Sequence, residues 1–72
     1  MSSLVVNRVL LLSPRQEEIL NLLASGYTIK EIARQLSIDV RTISHHKQIA
    51  CLKLDARTTI EAVAIWQREA SK

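Results

Sequence analysis

Three stretches of this chain repeat one chemical pattern, a Ser or Thr followed three residues later by a Glu or Gln: Ser13-Pro14-Arg15-Gln16, Thr28-Ile29-Lys30-Glu31 and Thr58-Thr59-Ile60-Glu61. In such a box the hydroxyl accepts the amide N–H of the fourth residue, whose side chain reaches back to the amide of the first. Two donors that a helix start leaves bare are thereby satisfied. One box is worth only about 1 kcal/mol, but boxes at these spacings divide the chain into helices. The first predicts a helix from about Pro14 to Ser25, with Pro14 at the first helical position and Gly26 as the stop. The second predicts a helix over Ile29–Leu36, and the third one over Thr59–Glu69.

Between the second and third boxes, Ser37-Ile38-Asp39 reads as a tight turn around a buried Ile, with Asp39 capping a further helix from Val40 to Leu54. Asp55 ends that helix, because Asp tolerates the left-handed conformation better than most residues. Apolar stripes at helical spacing support each segment: Ile19, Leu20, Leu22 and Leu23, then Ile29, Ile32, Ala33 and Leu36. One Gly, one Pro and two aromatics in 72 residues suit Leu-, Ile- and Ala-based helices better than a sheet. The expected fold is therefore all-α, a compact four-helix helix-turn-helix domain over residues 13–70 with a short N-terminal arm or linker over residues 1–12.

Charge is distributed unevenly. Between Thr28 and Arg57 six bases (Lys30, Arg34, Arg41, Lys47, Lys53, Arg57) face three acids (Glu31, Asp39, Asp55), whereas the flanks balance, so the centre carries the whole formal net charge of +3. A cationic middle between neutral ends is what a phosphate-binding surface requires. At about 100° per residue, Ile43, Ala50 and Leu54 share one face of the third helix with Lys47 beside them. Arg41, Ser44, His45, Gln48 and Leu52 fall opposite. Ser, His and Gln each donate and accept hydrogen bonds, and Gln can pair bidentately with adenine. A merely solvated face has the same periodicity, so spacing alone does not separate reader from surface.

From Leu12 to about Glu69 the chain resembles the LuxR-type (GerE-type) helix-turn-helix, the output domain of FixJ/NarL-class response regulators. The stretches that carry the resemblance are Leu12-Ser13-Pro14-Arg15-Gln16-Glu17-Glu18-Ile19-Leu20, Lys30-Glu31-Ile32-Ala33, Leu36-Ser37-Ile38, Arg41-Thr42-Ile43-Ser44, Lys53-Leu54 and Glu61-Ala62-Val63-Ala64. Thr42-Ile43-Ser44 followed by Lys47 is most similar to the RcsB-like branch. The resemblance implies base-reading positions at Ser44, His45 and Gln48, and backbone-contacting positions at Thr28, Lys30, Arg41, Thr42 and Lys47. It also implies a fourth helix that often forms a dimer contact, here assigned to Ala64 and Ile65. The chain departs from the family pattern at five positions. Ser44 stands where many members carry Lys or Arg, Ile49 and Leu52 replace positions that are often polar, Asp55 replaces the usual Gly, and Ala56 a larger aliphatic residue.

The remaining features read plainly. His45 and His46 are adjacent and so point about 100° apart on a helix, and no further His or Cys has ligand spacing, so neither metal nor cofactor is expected. Cys51 is alone, which excludes an intrachain disulfide and fits a reducing, cytoplasmic setting, where it acts as a small apolar filler. Trp66 shares a stripe with Ala62, Val63 and Ala70 and is read as core, leaving Ala64 and Ile65 on the outer side. The apolar run Leu4–Leu12 is interrupted by Arg8 and is too short to span a bilayer. The arm has two readings, a linker from a larger regulator or an extra element packed on the domain or its dimer.

The function expected is sequence-specific binding of double-stranded DNA by a transcriptional regulator or its isolated output domain, and not enzymatic: no nucleophile–base pair and no Gly-rich phosphate loop is present. Homodimerisation through the fourth helix would accompany it. The alternative is a protein-interaction module of the same fold that heterodimerises with another regulator, favoured by Leu52, Ile49 and the apolar arm. A sigma-factor-like domain with RNA polymerase as partner is a further rival.

Overall fold

The computed structural model describes residues 11–70, so all but the last two positions of the arm lie outside the described residues. Four helices follow in order: α1 over Pro14–Ala24, α2 over Ile29–Leu36, α3 over Val40–Leu54 and α4 over Thr59–Ala70, and no strand occurs among the described residues. The expected bounds hold to within a residue.

The first two boxes close in both directions. Gln16 N donates to Ser13 Oγ at 3.2 Å while Ser13 N donates to Gln16 Oε1 at 3.0 Å. Glu31 N donates to Thr28 Oγ1 at 3.1 Å while Thr28 N donates to Glu31 Oε1 at 2.8 Å. The third box closes only halfway. Glu61 N does find Thr58 Oγ1 at 3.0 Å, but the Glu61 carboxylate takes the N–H of Arg57, at 2.7 Å, one residue earlier than the pattern predicts.

The ends of α1, α2 and α3 are built alike. At each of these three, a residue in a left-handed conformation turns the chain so that the next N–H bonds back to the helix: Tyr27 N to Leu22 O, Ile38 N to Ala33 O, and Ala56 N to Cys51 O. Gly26 holds the first such position at φ 101°, where it carries no Cβ penalty. Ser37 and Asp55 hold the others at φ 56° and 57°. Asp55 was expected there; Ser37 was not, since Ser has no marked preference for that conformation.

Two apolar clusters share α1 and α3. Ile19, Ile32, Ala33 and Ile43 join α1, α2 and the N-terminal half of α3. Leu12, Leu20, Ala50, Leu54, Ala62 and Ile65 join α1, α4 and the C-terminal half of α3. Leu12, the last residue of the expected arm, is thus part of the packed domain. Ile38 of the turn is half-buried rather than fully enclosed and leans on the first cluster. Each fully enclosed Leu or Ile contributes about 1.5–3 kcal/mol. Because α3 is gripped at both halves from one side, its other side is left to solvent.

Candidate nucleic-acid interface

The short turn Ser37-Ile38-Asp39 sends α3 off from α2, and Asp39 fixes where it begins. One carboxylate oxygen accepts the N–H groups of Arg41 at 2.8 Å and Thr42 at 3.4 Å; the other accepts the Thr42 hydroxyl at 3.0 Å. The Thr42 hydroxyl and the Arg41 N–H hold the Asp39 carboxyl below its ordinary pKa, with the nearby Arg41 guanidinium a smaller contribution.

Along α3 the two faces separate as periodicity requires. Ile43, Ala50 and Leu54 are at most 1% exposed, with Lys47 half-buried beside them. On the other side Arg41, His45 and Gln48 are exposed, Ser44 is half-buried, and Leu52 is 79% exposed. The three residues expected to read bases therefore share one outward flank, Ser44 lying at its edge. A helix of 15 residues is about 22 Å long, and its diameter with side chains suits the major groove of duplex DNA.

The expected phosphate ligands fare unequally. Thr28, at the α2 N-terminus, and Lys30 are exposed. The Thr28 hydroxyl accepts the cap hydrogen bond from Glu31 and retains its own hydrogen for an outside acceptor. Arg41 is exposed, and Lys47 lines a cleft of about 460 Å³ between α3 and the start of α4, together with Gln48, Leu52 and Arg57. Thr42 differs, since its hydroxyl already donates to Asp39 and is not free to donate to a phosphate. Among the described residues, Lys30, Arg34, Arg41, Lys47 and Arg57 form no salt bridge, although Arg41 lies near enough to Asp39 to lower its carboxyl pKa. Lys53, counted with these bases from sequence, is instead turned inward: its Nζ donates to Gln16 Oε1 at 3.0 Å. No spacing rule links two residues so far apart in the chain, and the bond was invisible before the fold.

Three other residues complete the picture. Cys51 is half-buried, and burial raises its thiol pKa against a smaller opposite effect of Lys47. The His45 and His46 rings are tilted 6.5 Å apart; His46 Nδ1 is buried without a hydrogen-bond partner, and no group of three potential metal ligands occurs among the described residues.

On α4 the expected phase needs correction. Ile65 is 4% exposed and belongs to the core, so it presents no surface to a second copy, while Ala64 is exposed as expected. The core stripe runs through Ala62 and Ile65, with Val63 and Trp66 only partly buried at its margins. The large aromatic ring pulled the predicted stripe toward itself. Ile60 was missed: it is 82% exposed one turn before Ala64, and together with Leu23 and Val63 they border a cleft of about 310 Å³. Its sequence signal is the four-residue spacing to Ala64, which places both on one helix face.

Among the described residues no helix is long and apolar enough to cross a membrane. Residues 10–66 match the family model of bacterial regulatory proteins of the luxR family. The transcriptional regulatory protein RcsB of Escherichia coli K12 is 41% identical over 49 residues, which are 68% of this chain and 23% of that protein. The oxygen regulatory protein NreC of Staphylococcus haemolyticus is 43% identical over 53 residues, 74% of this chain and 24% of that protein. The chain thus spans about a quarter of the length of these relatives. No solved structure matches. A cationic helix-turn-helix with an outward polar flank, and a family match over most of its length, lead to one assignment: the chain belongs to the luxR family of bacterial regulatory proteins and carries that family's DNA-binding helix-turn-helix domain.

Proposed function

We propose that α3 lies in the major groove with Ser44, His45 and Gln48 at base edges. Thr28, Lys30, Arg41 and Lys47 hold phosphates on either side, and Thr42 acts indirectly by keeping Asp39 in place. The observation that carries this reading is the two-sidedness of α3, enclosed along Ile43, Ala50 and Leu54 and open along His45 and Gln48. Phosphate contacts supply most of the affinity and base contacts the preference. The site of action is the cytoplasm, where bacterial DNA lies.

Fluorescence anisotropy on a duplex selected from a random pool, and on a shuffled one, tests the division of roles. Lys47→Ala weakens both duplexes and lowers the slope of log affinity against log salt by about 1. Gln48→Ala relaxes choice at one base pair, costing the selected duplex about 1–3 kcal/mol and the shuffled one little. Identical behaviour of the two variants would refute the assignment.

The exposed side chains of Leu52 and Ile60 support a second surface, used for association. Pairing through α4 places Ile60 and Ala64, not Ile65, against a second copy. If neither duplex binds at low salt, the heterodimerising module becomes the better reading.

A further inference from the structure

Gln16 is the one polar residue counted as buried among the described residues, at 5% exposure. Its Oε1 accepts twice, from Ser13 N at 3.0 Å and from Lys53 Nζ at 3.0 Å. Ser13 is the cap of α1, at the point where the arm joins the domain, whereas Lys53 is the penultimate residue of α3. One oxygen atom therefore ties the start of the first helix to the last turn of the helix assigned to the groove.

The kind of bond matters. Apolar contacts at Ala50 and Leu54 hold α3 against α1 and α4, but such contacts are non-directional and tolerate small rolls and slides. A hydrogen bond from an ammonium to a buried carboxamide is directional and strong for its size. Lys53 lies on the flank of α3 between its core face and its outward face, so the bond fixes rotation about the helix axis. Base reading requires side chains placed to within about 0.5 Å and 10–20°, whereas attraction to phosphates does not.

We propose that Gln16 is a positioning residue for DNA reading, acting through Lys53 to set the roll and register of α3. The proposal rests on the groove assignment above. Its loss affects discrimination between sequences more than affinity for DNA in general.

The test compares the wild-type chain with Gln16→Leu, Gln16→Glu and Lys53→Met on the selected and shuffled duplexes, with circular dichroism confirming that each variant is folded. Gln16→Leu and Lys53→Met lower affinity for the selected duplex by about tenfold, as losing one hydrogen bond to a charged group would. Affinity for the shuffled duplex changes by less than about twofold for Gln16→Leu, which removes no charge, and falls for Lys53→Met by less than affinity for the selected duplex does, since that variant also loses one positive charge. Gln16→Glu keeps the wild-type preference, because a carboxylate offers both donors the same acceptor. Lys53→Met probes the bond from its other end should Gln16→Leu fail to fold. An equal loss on both duplexes, or none on either, overturns the proposal, as does failure of Gln16→Glu to preserve the preference. A wild-type chain that prefers no duplex instead refutes the groove assignment, and the proposal falls with it.

Discussion

Single residues set the pH behaviour and reactivity of this domain. Asp39 holds the first turn of α3 through Arg41 and Thr42, and the hydrogen bonds that do so lower its carboxyl pKa below the usual 3.8. A lowered carboxyl pKa adds stability that is complete above the unfolded-state value and is lost as pH falls through the folded-state one. Asp39→Ala should therefore melt below the wild type at neutral pH, and the gap should close under acid, as read from thermal unfolding over a pH series. A gap that persists at the acid end would mean that the charge is not what caps the helix. Cys51 makes the opposite case: burial raises its pKa, so at neutral pH the thiol stays protonated, and the thiolate is the reactive form. Iodoacetamide should alkylate Cys51 more slowly than free cysteine at neutral pH, with the difference lost in denaturant. Rapid alkylation of the folded chain would show an open thiol rather than a packed one.

At the level of helices, the strongest local constraint falls at Ser37 and Asp55, which hold left-handed positions that glycine fills at less cost. Asp55 also places an anion at the C-terminal end of α3, where the helix dipole is unfavourable to it. Asp55→Gly should raise stability by about 1 kcal/mol, measured by urea unfolding, and strengthen binding to any duplex by removing a negative charge beside the basic surface. A destabilised Asp55→Gly would show that the aspartate makes a compensating contact. The helices themselves were legible because their starts are local chemistry: Ser13, Thr28 and Asp39 cap through residues two or three positions away. The open flank of α3 was legible for the same reason, since Ile43, Ala50 and Leu54 repeat at helical spacing. Contacts between helices were not. The Gln16–Lys53 bond joins distant parts of the chain, Thr42 was read as a phosphate ligand before its bond to Asp39 was known, and Ile65 was read as surface because a helical wheel gives relative angles but no absolute phase.

For the whole molecule, the proposed function makes pairing of two copies on DNA the property to test. On the proposed reading a lone domain of this size offers one helix to the groove, and two-fold pairing would let two of them read half-sites about one helical turn, roughly 34 Å, apart. The outer side of α4 is suited to such pairing. Ile60 is 82% exposed, Ala64 is small and exposed, and a cleft of about 310 Å³ lies beside them, its floor reaching Leu23 and Val63 at the margin of the cluster that holds α4 to α1 and α3. An exposed Ile contributes little to the monomer, so replacing it should not disturb folding, whereas burial against a second copy would recover apolar area from both chains. If copies pair through this surface, the wild type should bind two correctly spaced half-sites cooperatively, whereas Ile60→Gln should melt with the wild type, bind a single half-site with affinity unchanged within about twofold, and bind the two half-sites independently. Ile65→Gln is the informative contrast, because Ile65 is enclosed in the core and its replacement should unfold the domain rather than uncouple it. Should Ile60→Gln retain full cooperativity, pairing would have to run through another surface, with the exposed Leu52 at the end of α3 the next to test.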